Sequence, residues 1–175
     1  MKHGKSLFNI VLCALLAALC CVATLVIQIP TPTGGFLNLG DAIVILGAFL
    51  LPPVYGALAA GVGSALADIF VGYAQYAPAT FVIKAMMALA VWAVIWLSRR
   101  FAEKKYYFVF ITAGGVLAEI IMVCGYFGYE ALVLRYGWGA AASVVPNMVQ
   151  GLVGIIAGTI LIQLIKATKI KDKLS

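Results

Sequence analysis

Apolar residues run along this chain in long blocks, broken only by short connections that carry glycine, proline or charge. A bilayer crossing needs about 20 predominantly apolar residues in a helix, and blocks near that length recur throughout. They predict six helices, over residues 6–29, 38–51, 54–72, 78–98, 106–130 and 140–166. The second is short for a crossing. Pro52 and Pro53 end it, because proline cannot continue a helix and also restricts the residue before it. A tight turn there makes the second and third helices an antiparallel pair. No connection is large enough for a soluble domain, so residues 1–175 read as a single membrane domain, an all-α bundle of six transmembrane helices.

Composition agrees: 65% of the 175 residues are hydrophobic and 10% charged, against roughly half and a quarter in soluble proteins. The first apolar run, from Leu7, has a short basic flank like that of a signal peptide. It continues past the usual core of about 7 to 15 residues and lacks a small-x-small cleavage site before Pro30, so it reads as a retained helix. Basic residues then set the topology. Lys2, Lys5, Arg99, Arg100, Lys104, Lys105, Lys166, Lys169, Lys171 and Lys173 share one side if both termini do, and Arg135 lies on the other. The positive-inside rule places both termini and the loop RRFAEKK in the cytoplasm of a multi-pass cell-membrane protein. The net charge of +6 is thus a topology signal rather than a nucleic-acid footprint, although the basic face also suits anionic lipid.

Several chemistries are disfavoured. Cys13, Cys20, Cys21 and Cys124 all fall inside apolar runs, where a thiol behaves as a small hydrophobe, and no spacing suggests a metal or redox pair. Ser64 in GVGSALAD has no histidine to activate it, because His3 lies in the cytoplasmic tail. HGKS, at residues 3–6, looks like the end of a phosphate loop, but the first glycine of GxxxxGK[ST] would precede Met1. Neither a zinc-protease nor a paired-carboxylate motif is present. Nothing in the pattern supports an enzyme, a metal or a cofactor.

Polar residues converge instead. With the basic loops inside, Asp41, Asp68, Lys84, Tyr126, Glu130, Asn147 and Gln150 all fall in the outer half of their helices. Charges at membrane depth cost at least a few kcal/mol each and usually face a bundle interior or a wet cavity. Lys84, in TFVIKAMMAL, reads as a pocket residue held by Asp68; an ion pair that merely ties two helices is the plainer alternative. Glu119 lies near mid-membrane, either as a proton relay or as a protonated carboxyl bonded to a neighbour. The third helix carries Gly56, Ala60, Ser64 and Asp68 at spacings of four, flanked by Ala57, Gly61 and Ala65, so it is expected to be central and closely packed. Ala14 and Ala18 make a small-residue pair on the first helix.

The order of motifs NLGDAIVILGAFLLPPVYGALAAGVGSALADIFVGY followed by YAPATFVIKAMMAL resembles the substrate-binding S component of energy-coupling factor (ECF) vitamin transporters. The likeness covers residues 36–90, and the size and topology of the rest agree. It implies a small subunit that captures a vitamin or precursor from outside. The subunit then docks on one membrane coupling protein and two cytoplasmic ATPases, which accounts for the missing ATP motif. It also implies that Ala14 and Ala18 contact the coupling protein, and that the loop Pro30 to Leu39 closes over substrate.

Within the family, the pattern is most similar to pyridoxine and hydroxymethylpyrimidine members. A small polar aromatic ring suits the polar cluster: Tyr73, Tyr76, Tyr126 or Trp138 stacks on it, while Asp41, Asp68, Lys84, Asn147 and Gln150 line the site and bond its substituents. Two other readings stay open. One is a self-sufficient proton-coupled secondary transporter using Asp68, Lys84 and Glu119, although no inverted repeat is evident. The other is a structural subunit without ligand.

Overall fold

The computed structural model describes residues 2–30, 36–101 and 106–168. Six α-helices follow one another: α1 (Lys2–Val26), α2 (Gly40–Leu50), α3 (Pro53–Phe70), α4 (Ala77–Phe101), α5 (Tyr107–Gly128) and α6 (Val144–Ala167). Between α1 and α2 lies a short antiparallel pairing, β1 (Ile29–Pro30) on β2 (Phe36–Leu37). It occupies the place of the expected closing loop, whose residues 31–35 lie outside the described residues. Beyond α5 the chain continues as a π-helical turn, Tyr129–Val133, and enters α6 through a 3-10 segment, Gly137–Ser143.

Five segments are long and apolar enough to cross a membrane: Lys5–Val26, Pro53–Phe70, Ala77–Phe101, Tyr107–Val133 and Gly137–Ala167. The exception is α2. Its 11 residues rise about 16 Å at 1.5 Å each, roughly half of a hydrocarbon core near 30 Å. The expected sixth crossing is therefore a half-length helix, and its burial is complete from Gly40 to Phe49. Enclosed on all sides, the helix needs no polar face, which is why GDAIVILGAFL is apolar all round after its first two residues.

Leu51 is extended (φ −101°, ψ 156°) and Pro53 opens α3, where a missing N–H costs nothing. The predicted Pro52–Pro53 turn and the α2–α3 pair are thus present. α3 packs against α1, α2 and α4, and its glycines show how closely. A Cβ on Gly56 would meet the Gly47 carbonyl of α2 at 3.4 Å, one on Gly61 the Phe81 carbonyl of α4 at 2.9 Å, and one on Gly63 the Ala17 carbonyl of α1 at 2.4 Å. Gly63→Val is accordingly expected to push α1 off α3 and cost about 1 to 3 kcal/mol, since backbone atoms cannot swing aside as a flexible side chain can. Thermal unfolding in detergent checks this, with Gly139→Ala as control, because a Cβ there meets nothing within 4 Å. Ser64 is 1% exposed and sits 3.3 Å from the Cys20 thiol, a packing contact between α1 and α3.

The bundle has two chemically distinct ends. At one, the start of α1, the end of α4, the start of α5 and the end of α6 meet: Lys5 and Arg99 line a shared cavity, Arg99 donates to the Tyr107 hydroxyl, and the Lys166 amine lies 4.3 Å from the Tyr107 ring. At the other, Asn38, Asp68, Tyr76, Glu130 and Asn147 surround a cleft. Among the described residues, one end is basic and the other carries Asp68 and Glu130.

Candidate functional site

The buried ion pair is the foundation of the cleft. Lys84 stands two turns into α4 and is 2% exposed; Asp41, second residue of α2, is fully buried. The lysine amine donates to Asp41 Oδ1 and contacts Met122 Sδ of α5 at 3.2 Å. The other Asp41 oxygen accepts from Gln150 Nε2 of α6 at 2.6 Å. Gln150 in turn accepts, through Oε1, from the Asn38 backbone N–H at 2.9 Å and from Asn38 Nδ2 at 3.2 Å. The β2 exit and the start of α2, which adjoin in sequence, thus share one chain of polar contacts with the distant α4 and α6.

The expected pairing of Lys84 with Asp68 is corrected by this geometry. Because α2 is enclosed by the bundle, its first turn brings Asp41 to the depth of Lys84. Asp68, two residues from the end of α3, sits nearer the mouth of the cleft. Its Oδ2 is buried without a hydrogen-bond partner among the described residues.

Above the ion pair lies the cleft itself, lined by Asn38, Asp68, Tyr73, Tyr76, Thr80, Tyr126, Glu130, Ser143, Asn147 and Gln150. Six of the eight substrate-site residues read from the sequence line it, while Asp41 and Lys84 are not in its lining and touch it through Gln150 and Tyr126. The Tyr126 hydroxyl and Thr80 Oγ1 are 2.9 Å apart, and the Lys84 amine lies 5.8 Å from the Tyr126 ring centre. Tyr76 donates to Glu130 Oε1 at 3.1 Å, leaving Glu130 Oε2 without a hydrogen-bond partner among the described residues. Burial, and next to it the Glu130 carboxylate, raise the Tyr76 phenol above its ordinary range, so it remains the donor in that bond. The rings of Tyr73, Tyr76, Tyr126 and Tyr129 cluster with centre separations of 5.9 to 6.4 Å to Tyr76.

Local chain geometry sets these side chains. Gly72 adopts a positive φ of 85°, and the Tyr73 N–H returns to the Asp68 carbonyl at 2.8 Å, a glycine-type helix stop. It turns the chain so that Tyr73 and Tyr76 face the cleft. The π-helical turn rotates Glu130 inward, to 2% exposure. Trp138, offered by the sequence as a stacking residue, is 88% exposed and stands outside the cleft.

Asn38, Thr80, Ser143 and Glu130 were not in the sequence-read binding set. The signal for Asn38 was an asparagine two residues before a helix: its Oδ1 accepts from the Gly40 N–H at 2.8 Å, a habit of asparagine at turns. Ser143 and Thr80 carried no signal beyond their polarity.

Glu119 of α5 lies deeper still, at 6% exposure, and neither of its oxygens has a hydrogen-bond partner among the described residues. The carboxyl bonded to a neighbour, one of the two expectations, is therefore absent. It abuts α6 glycines: a Cβ on Gly151 would fall 2.9 Å from Glu119 Oε2, and one on Gly154 would fall 3.2 Å from Oε1. Ala14 and Ala18 are on an exposed face of α1, beside exposed Val11, Leu15 and Val22.

The family model described as "ECF-type riboflavin transporter, S component" matches residues 4–167. The chain is also 40% identical over 138 residues to a Pyrococcus woesei protein described as "uncharacterized protein in gap 3′ region", a match that covers 78% of this chain and 87% of that one.

Proposed function

Because the chain belongs to the family of S components of ECF-type transporters, we propose that it is the substrate-capture subunit of an ATP-driven importer and takes a small aromatic ring bearing hydroxyl or amino groups, in the class of pyridoxine and hydroxymethylpyrimidine. The observation that supports this reading is the cleft at the carboxylate end. It offers tyrosine rings for stacking, unpartnered Asp68 and Glu130 oxygens to accept hydrogen bonds, and the Asn147 amide to give or take them. Buried polar atoms without partners are costly, and a ligand carrying donors relieves that cost.

With the basic end in the cytoplasm by the positive-inside rule, the cleft opens outward and the substrate arrives from outside. Energy comes from a coupling membrane protein and two ATPases, and Ala14 and Ala18 on the exposed face of α1 are the contact surface for that coupling protein. The enclosed space in the cleft is about 40 Å³, near the liquid volume of one water molecule, so capture requires the tyrosine-lined mouth to widen. Among the described residues, Asn38 at the mouth is bonded to Gln150, so releasing that contact widens the cleft.

The description of the matching family favours a second substrate, riboflavin. Mass spectrometry of ligand extracted from protein purified in detergent, followed by titration with pyridoxine, hydroxymethylpyrimidine and riboflavin, separates the two. Binding of a single-ring compound supports the first reading and binding of riboflavin alone the second. Failure to bind any vitamin, together with no uptake in cells given an ECF module, overturns the capture function. Uptake in vesicles without ATPases points to a proton-coupled carrier instead.

Asp68→Asn is expected to weaken binding of the ligand so found by about tenfold, the worth of a hydrogen bond to a charged group, while leaving thermal stability near that of the parent. Unchanged affinity would remove Asp68 from the site.

A further inference from the structure

A second, larger cavity lies at the opposite end from the carboxylate cleft. It encloses about 470 Å³ between the start of α1, the α2–α3 turn and the end of α4, a size within the range of sites that hold small molecules. It lies where α2 stops half way, at Leu50, with Leu51 and Pro52 in its wall. Its walls are apolar and aromatic, with Leu12, Phe49, Trp92 and Trp96 among them, and two cations, Lys5 and Arg99, line its rim. Trp92 and Trp96 are stacked, with ring centres 6.2 Å apart. Arg99 is held by the Tyr107 hydroxyl at 3.1 Å, and Arg100 lies 5.6 Å from the Trp96 ring.

We propose that this groove binds one anionic phospholipid, its headgroup between Lys5 and Arg99 and an acyl chain along Trp92, Trp96, Leu12 and Phe49. Charge and depth together select that occupant. From Lys5 to Leu12 the groove runs about 10 Å along α1 at 1.5 Å per residue, so its cations sit at one level and its hydrocarbon walls below it, as in a phospholipid. Tryptophan and basic side chains favour that boundary. The coupling protein is assigned to another face. At 100° per residue, Ala14 and Ala18 point roughly 150° away around α1 from the groove-lining positions 5, 8, 9 and 12.

The chain has three tryptophans, and Trp138 is far from the groove, so Trp138→Phe leaves emission from the two groove rings alone. In that background, titration in detergent with phosphatidylglycerol or phosphatidylcholine brominated on the acyl chains reads occupancy by quenching. The expected result is a saturable component with roughly 25-fold preference for phosphatidylglycerol, since each of the two basic groups near an anionic headgroup contributes about a factor of five. Lys5→Gln reduces the preference severalfold, and Lys5→Gln with Arg99→Gln abolishes it, whereas Lys166→Gln leaves it in place.

Leu12→Trp adds a third groove ring, so its occupancy is read by native mass spectrometry rather than quenching: filling the groove, it removes the one retained lipid. Equal quenching by the two lipids, or a preference that survives the double substitution, overturns the proposal. A groove indifferent to lipid that is shielded only when the coupling protein is added would assign it to that protein instead.

Discussion

Lys84→Met is expected to be the most damaging single substitution in the bundle. The amine is 2% exposed and its carboxylate partner, Asp41, is fully buried between α4, α5 and α6. Methionine matches the length of the aliphatic stem and keeps the packing around Met87 and Met122. It leaves the Asp41 carboxylate with the Gln150 bond among the described residues. Removing one member of a buried pair typically costs about 3 to 5 kcal/mol, because the survivor keeps its desolvation penalty and loses its compensation. A second change in the same chain, Asp41→Asn, removes the stranded charge and should recover most of that loss. The double-mutant cycle, measured by thermal unfolding in one detergent, checks the pair directly. Single and double variants of equal stability would show that the ion pair is not formed.

The same double variant separates a support of the binding cleft from a structural staple. If Lys84 and Asp41 only tie helices together, the recovered protein binds ligand as well as the parent. If they support the cleft, it folds and yet binds poorly, because the positions of Gln150 and Tyr126 depend on the pair.

Gly154→Val has the second large expected effect, through shape rather than charge. A Cβ at residue 154 would fall 2.7 Å from the Asp41 Cβ and 3.2 Å from Glu119 Oε1. The Asp41 Cβ is fixed to the α2 backbone and cannot turn away, so α6 and α2 must separate. Overpacking of this kind costs about 1 to 3 kcal/mol. Here it also pulls Gln150, one turn earlier on α6, off its 2.6 Å bond to Asp41. Both stability and ligand affinity should fall, the latter by a factor of ten or more for one charged-group hydrogen bond. Gly139→Ala, in open space, should change neither. A Gly154→Val protein that binds ligand normally would mean that Gln150 is not part of the capture site.

These two residues mark the boundary between what was legible and what was not. Six helices, their order and the proline turn could be read along the chain, because apolar run length and proline act locally. The polar cluster was also visible, since a charge inside an apolar run announces itself. Its wiring was not. Asp41 and Asp68 both stood within reach of Lys84 on a one-dimensional map, and the choice fell on Asp68. The glycines of α6 gave no sign that they seat carboxylates, because a glycine means close approach only when its neighbour is known.

Sequence by itself determined that this protein lives in a bilayer, where its apolar helices run, and that a small set of charged and amide side chains must meet inside it, because each of these follows from the cost of placing groups in hydrocarbon. Tertiary structure decided that α2 lies enclosed at half length. That one placement selects Asp41 as the partner of Lys84 and opens a cation-rimmed groove at the other end, since depth and neighbours are properties of packed helices and not of any segment alone.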